Sequence, residues 1–310
     1  MSHSVDIAGL ANLLQEAAVK EILPRFRNLE AGDVRVKSEA IDLVTEGDEA
    51  AERLIKARIE GVAPGALFVG EESVAADPAL LDKLADADLA VVVDPIDGTF
   101  NFAAGVPLFG VMASVVAKGE TVAGIIYDPL GNYWVIAEKG SGAWMCRANG
   151  SQERLSVTAG VPLEAMVGGA STGFYKQEAR REVMANMAKV RIATSYRCAA
   201  HEYRMLAGGH IHFLMYQKLM PWDHLAGTLI SQSRRLCRPL RRLALSAVAS
   251  QWRPAACHRQ GELGDAAPRG LHGLSRSKQP KIQSPPGLLR AGFLFALRRP
   301  VTYGRHRDPC

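Results

Sequence analysis

Four short acidic segments hold most of the chemistry this chain of 310 residues could do: Asp48 in V-T-E-G-D, Glu71 and Glu72 in G-E-E-S, Asp94 and Asp97 in D-P-I-D-G-T, and Asp223 in P-W-D-H. Each falls at the edge of an expected element. Glu71 and Glu72 follow the apolar run A-L-F-V, Asp94 follows L-A-V-V-V, and Asp48 and Asp223 open helices. Ligand sites in α/β proteins gather at the carboxyl ends of strands. Carboxylates brought together there repel one another and stay ionised only beside hard cations. No Cys or His set accompanies them, so the donors are oxygens, which suit Mg²⁺ rather than zinc.

The segment Asp94 to Thr99 adds mechanical detail. Pro95 fixes its own φ and pushes Asp94 toward extended geometry, so it is expected to stop the strand. Asp94 and Asp97 can then converge across a turn, leaving the Ile96 carbonyl free as a further ligand. Gly98 permits a tight bend, and Thr99 opens a short helix, T-F-N-F-A. Free N–H groups at a helix start suit a phosphate. Cations beside a phosphate cradle are the components of metal-assisted phosphoryl hydrolysis. Plainer roles exist: Asp48 could cap its own helix, and Asp223 could be an N-cap beside Trp222.

These residues need a layered scaffold. The spacing predicts helices over 6–27, 48–61, 180–190, 199–208 and from Pro221 onward, through W-D-H-L-A-G-T-L-I. Strands are expected at 66–70, 89–93, 109–117, 121–127, 133–138 and 211–216, and 37–45 reads as a loop or short strand. Gly119, Pro129-Leu130-Gly131 and Gly140-Ser141-Gly142 supply turns. Helices interleaved with sheet segments give an α/β layered class. At 48% hydrophobic and 22% charged, the composition is ordinary globular usage and excludes collagen, coiled coil and wholesale disorder. No run approaches the roughly 18 apolar residues of a membrane helix. Neither a signal peptide nor a disulfide framework is expected: the five cysteines (146, 198, 237, 257, 310) are irregularly spaced. A reducing, cytoplasmic location is the expectation.

G-E-E-S, D-P-I-D-G-T-F-N-F and P-W-D-H-L-A-G are similar, in order and approximate spacing, to the motifs of the inositol monophosphatase family, over roughly residues 5–230. The resemblance implies that family's αβαβα sandwich, shared with the fructose-1,6-bisphosphatase-like fold. It implies a Mg²⁺-dependent, lithium-sensitive phosphatase using two or three ions. Glu71, Asp94 and the Ile96 carbonyl would hold one ion; Asp94, Asp97 and Asp223 a second; a third would lean on Glu71. Gly98 and Thr99 would hold the phosphate, with Asp223 beside the substrate. Asp48 with Thr99 would activate water, Glu72 would support the catalytic set, and Lys37 matches a family lysine near the metals. A homodimer acting on a small phosphorylated alcohol is expected, with no membrane and no nucleic-acid partner. The sequence departs from the family where acids grip the inositol hydroxyls: His212 and Tyr216 stand there. Histidinol phosphate, a sugar phosphate or a nucleotide phosphate is therefore an alternative to inositol monophosphate.

The net charge of +5 averages two unlike segments. Residues 1–230 carry 21 Lys and Arg against 29 Asp and Glu, a net −8; residues 231–310 carry 16 against 3, a net +13. In the latter, neither hydrophobic period survives. Read one base downstream with permitted codons, the text from Ser233 can encode A-G-G-Y-V-A-R and later S-G-G-L-L, which resembles the family's usual ending. The division expected is a metal-binding half over 1–150, a partial substrate-capping half over 151–231, and an out-of-frame, disordered basic tail over 232–310. Two further readings follow from that tail: a catalytically impaired product of a frame slip, or a nucleic-acid-binding partner acting through its basic residues.

Overall fold

The computed structural model describes residues 5–30, 32–38, 40–232 and the backbone of 292–295. Asp6 caps helix α1 (Ile7–Ala17), its carboxylate accepting from the Gly9 N–H at 2.8 Å. Leu10, Leu13, Leu14 and Ala17 form its buried stripe. The expected long first helix is broken up: a π-helical turn (Ala18–Ile22) and a 3₁₀ turn (Leu23–Arg25) finish it, with Pro24 near the end. A two-stranded hairpin, β1 (Val34–Val36) with β2 (Leu43–Thr45), leads into α2 (Glu46–Arg58).

Seven strands form the main sheet. They are β3 (Leu67–Gly70), β4 (Leu89–Asp97), β5 (Gly110–Ala117), β6 (Glu120–Asp128), β7 (Tyr133–Glu138), β8 (Gly142–Arg147) and β9 (Gln152–Arg154), in that spatial order. Only the β3–β4 pair is parallel. Two short helices, α3 (Glu71–Ala76) and α4 (Leu80–Asp86), fill the crossover between them. All nine residues of β4 are buried, and their alternation assigns the two faces. Val91 and Val93 pack with Leu10, Leu14 and Ile55, whereas Ala90 and Val92 pack with Trp222 and Leu225. Each valine so covered is worth roughly 1.5–3 kcal/mol relative to exposure.

Pro95 does not stop β4. The ladder to β5 pairs Asp94 with Met112 and then Asp97 with Gly110, so Pro95 and Ile96 stand opposite Val111 alone and β4 bulges by one residue. A bulge is where a strand tolerates a residue without an N–H. Thr99–Ala103 follows as α5, a single helical turn.

Opposite α1 and α2 lie α7 (Ala199–Ala207) and α8 (Pro221–Ser231), which pack on each other and on the sheet. Gly227 is what lets them approach: a Cβ there would meet the Tyr203 ring at 2.0 Å. Beyond α7 is a second sheet in the order β11 (Ile192–Thr194), β10 (Val167–Ala170), β12 (Phe213–Tyr216), β13 (Gly292–Phe295). Helix α6 (Gln177–Met187) makes the crossover between parallel β10 and β11. The result is an α/β layered fold. Most of the expected tail lies outside the described residues. Four of its residues are described as β13, which pairs antiparallel with β12. No helix among the described residues is long and apolar enough to cross a membrane.

Candidate active site

The sheet, α5 and α8 converge on a cavity of about 460 Å³. Glu71, Asp94, Ile96, Asp97, Gly98, Thr99 and Asp223, singled out from sequence, all line it. Their positions follow from the elements that carry them. Glu71 opens α3, where the Glu52 carboxylate of α2 accepts from the Glu72 and Ser73 N–H groups at 2.8 Å each. Asp94 and Asp97 flank the β4 bulge. Asp223 occupies the first turn of α8; Met220 is the N-cap and Pro221 the first helical residue, so the N-cap alternative for Asp223 does not hold. Gly98 caps α5 in a left-handed conformation, φ 87°, that suits glycine. A Cβ there would also meet the Leu108 carbonyl at 2.9 Å.

One oxygen from each of Asp94, Asp97 and Asp223 lies within 4.8 Å of the others. Burial, and then the neighbouring carboxylates with Glu71 foremost, hold Asp94 and Asp223 well above the usual carboxylate range. Asp97 is pushed only to about 6. Burial raises it, and the Cys198 thiol (2.9 Å) and the Ala200 N–H (2.6 Å) donate to its Oδ2 and oppose the rise. Asp94 Oδ1 is buried without a hydrogen-bond partner. An orphaned buried oxygen amid crowded carboxylates is costly unless a cation is held there. This donor set fits hard divalent ions.

Asp48 and Glu72 stand behind the cavity wall. Asp48 is fully buried; it caps its own helix and also reaches Thr99. Its Oδ2 closes a capping box with Thr45, accepting from the Thr45 N–H at 2.8 Å. Its Oδ1 lies 3.0 Å from the Thr99 hydroxyl, which is also 2.9 Å from the Ile96 carbonyl. Burial pushes Asp48 up to about 7, against the Thr45 hydrogen bonds. Lys37 binds Glu71 at 2.8 Å and Glu72 at 2.5 Å. Although burial disfavours its charge, those two carboxylates hold Lys37 protonated above the ordinary lysine range. Burial and Glu71 push Glu72 up to about 7, with Lys37 opposing.

The other side of the cavity holds residues that sequence reading missed. Tyr216 does line it, and its hydroxyl donates to Glu202 Oε2 at 2.5 Å. Burial pushes Glu202 up to about 7 despite that bond. His212 turns away, its Nδ1 3.1 Å from the Val167 N–H. An acid therefore does stand on this side, brought from α7 rather than β12. Arg180, Arg197, Lys218 and Asp42 also line the cavity.

The sequence model of the inositol monophosphatase family matches residues 5–232. The chain belongs to the inositol monophosphatase family. It is a phosphatase, a phosphoric monoester hydrolase of a metal-dependent family. The match ends where the reading frame was expected to be lost. A Thermotoga maritima protein named fructose-1,6-bisphosphatase/inositol-1-monophosphatase is 32% identical over 198 residues, 64% of this chain and 71% of that one. The inositol-1-monophosphatase of Mesorhizobium japonicum is 30% identical over 230 residues, 72% of this chain and 82% of that one. Among solved structures, a Thermotoga maritima IMPase aligns with a TM-score of 0.60 at 26% identity, covering 73% of this phosphatase and 82% of that chain.

Proposed function

We propose that this chain hydrolyses the phosphate monoester of a small alcohol with Mg²⁺, inositol monophosphate being the nominal substrate. One observation carries the reading: Asp94, Asp97 and Asp223 crowd a single cavity, one Asp94 oxygen unpartnered, beside the glycine-capped start of α5. Glu71, Asp94 and the Ile96 carbonyl would hold one ion, Asp94, Asp97 and Asp223 a second, and Glu71 a weaker third. When bound, such ions lower the pKa of water and offset charge on the departing alkoxide.

The remaining roles fall to the protein. The backbone N–H groups of Gly98 and Thr99 hold the phosphoryl group in line with the incoming water. The Thr99 hydroxyl has one hydrogen and two acceptors within 3.0 Å, Asp48 Oδ1 and the Ile96 carbonyl. Once the carbonyl is engaged elsewhere, that hydrogen turns to Asp48. The Thr99 oxygen is then free to accept from water, and Asp48, poised at about 7, takes the proton onward. Lys37 fixes Glu71 and Glu72 so that the site keeps its shape before the ions arrive. Water attacks phosphorus directly, with no covalent enzyme intermediate.

The test is phosphate release from inositol monophosphate and glycerol 2-phosphate by the full chain. Turnover is expected to need Mg²⁺ and to vanish in Asp97→Asn. Turnover undiminished in EDTA would refute the mechanism.

A further inference from the structure

Glu71 and Glu72 open helix α3, and the start of that helix is not capped by its own N-cap residue. Gly70 stands there and has no side chain to offer. The N–H groups of Glu72 and Ser73, the second and third helical residues, are the ones an N-cap side chain would satisfy. Glu52 of α2 satisfies them instead. Its Oε2 accepts from the Glu72 N–H at 2.8 Å, and its Oε1 from the Ser73 N–H at 2.8 Å and the Ser73 hydroxyl at 2.6 Å. Glu52 is only 4% exposed and is not among the residues lining the cavity. Gly70 completes the arrangement. Its backbone, φ −99° and ψ 157°, is open to any residue, but a Cβ there would strike the Glu52 carboxylate. What excludes a side chain at position 70 is therefore Glu52 and not the local backbone. Asp48 and Glu52 stand at i and i+4 on α2 and so share one face of it. Asp48 reaches the Thr99 hydroxyl at 3.0 Å, while Glu52 grips the start of α3, whose first residue, Glu71, lines the cavity. A six-residue helix is too short to hold its own start, so α2 spaces Glu71 from Asp48.

From this geometry we infer that Glu52 is a positioning residue for the metal-binding end of the cavity: by capping α3 from the neighbouring helix it holds Glu71 where a cation is bound. The inference rests on the metal-dependent phosphatase reading and adds to it a residue outside the cavity. Hydrogen bonds to an ionised carboxylate are the stronger kind, and three of them converge on this one. Glutamine keeps the shape but turns an NH₂ group toward one of the donors, so the cap is lost in part; alanine removes it. Losing a residue that orients a metal ligand typically costs roughly 10–100-fold in metal affinity. Glu71 is also tied to Lys37 at 2.8 Å, an ion pair that an arriving cation competes with. A loosened α3 leaves Glu71 to follow Lys37, and the cation binds more weakly.

The experiment titrates the full chain with Mg²⁺ alone by calorimetry, and measures the Mg²⁺ concentration at half-maximal phosphate release from inositol monophosphate. Glu52→Gln and Glu52→Ala should weaken Mg²⁺ binding by about tenfold or more and raise the half-maximal concentration as much. Saturating Mg²⁺ should return kcat to within about threefold of wild type, because an orienting residue acts on occupancy and not on the chemical step. Adding Gly70→Ser to Glu52→Ala puts a cap at the usual position, where the lost carboxylate leaves room for a Cβ, and should recover most of the missing affinity. Trp134→Phe serves as the control for lost stability. It removes a buried hydrogen bond, from Nε1 to the Ala11 carbonyl at 3.0 Å, in the packing of α1 on the sheet, and should leave Mg²⁺ affinity unchanged. Should the Glu52 variants fail to fold, Ser73→Ala, which removes just the 2.6 Å bond, should weaken Mg²⁺ binding by about threefold. Unchanged affinity in the folded variants overturns the inference and leaves the phosphatase reading intact. An equal weakening in Trp134→Phe overturns it too, as does a kcat that saturating Mg²⁺ does not restore. A wild type that binds no Mg²⁺ overturns the metal-dependent reading and the inference with it.

Discussion

Replacing Asp97 by asparagine should abolish turnover and yet make the metal-free protein more stable above neutrality. Burial pushes the Asp97 carboxyl from an ordinary value of 3.8 to about 6. At about 1.4 kcal/mol per pKa unit, roughly two units amount to about 3 kcal/mol. The sign follows from proton counts. Between pH 3.8 and about 6 the folded state keeps a proton that the unfolded chain has released, so stability falls as pH rises through that window, and the loss is complete above it. Asparagine has no charge to confine. It weakens the bonds that Cys198 and Ala200 donate to Oδ2, at about 1 kcal/mol. The net gain is about 2 kcal/mol. For a folded body of this size that is a Tm higher by about 4–8 °C. The assay is thermal unfolding by circular dichroism in EDTA at pH 4, 6 and 8, for wild type and Asp97→Asn. The variant's advantage should be present at pH 8, shrink at pH 6 and be gone at pH 4. Adding MgCl₂ should reverse the order at pH 8, because ligand binding to the folded wild type stabilises it. A variant that melts below wild type in EDTA at pH 8 would refute the charge-crowding argument.

Other perturbations separate the parts of the site. Thr99→Ala should lower kcat by roughly 10²–10⁴-fold with little change in KM, read by steady-state phosphate release, because the link between water and Asp48 is cut. Gly227→Ala should cost about 3 kcal/mol, since its Cβ would meet the Tyr203 ring at 2.0 Å, and urea unfolding would show it as a lower midpoint at unchanged m. Tyr216→Phe leaves the buried Glu202 Oε2 without its 2.5 Å donor and should cost about 1–3 kcal/mol in the same assay.

The carboxylate side of the cavity was largely legible because its signals are local. A bend with two carboxylates three residues apart and a following glycine has few uses, and Asp94, Ile96, Asp97, Gly98 and Thr99 all line the cavity. The long strands of the main sheet were legible for the same reason, as each is an apolar run bounded by turn residues. Pro95 misled because an isolated proline argues against a strand, while a bulge absorbs it. Helices α3 and α4 span fewer than eight residues each, too short for a 3.6-residue period to register. The opposite side of the cavity was harder. Glu202 reaches the cavity only through the packing of α7 against β12, and its pairing with Tyr216 spans 14 positions. Arg197 carries no local signal, since what places it at the cavity is its guanidinium lying over the ring of the distant Phe100.

The continuous strand β4 has a practical consequence. It is held on both sides by neighbours, and Asp94 and Asp97 belong to it, so this carboxylate pair moves only if the main sheet does. Other segments that line the cavity (α6, the residues after β11, and the turn before α8) lie outside the main sheet. Those outer pieces can therefore be exchanged while the carboxylates carried by β4 stay where the sheet holds them.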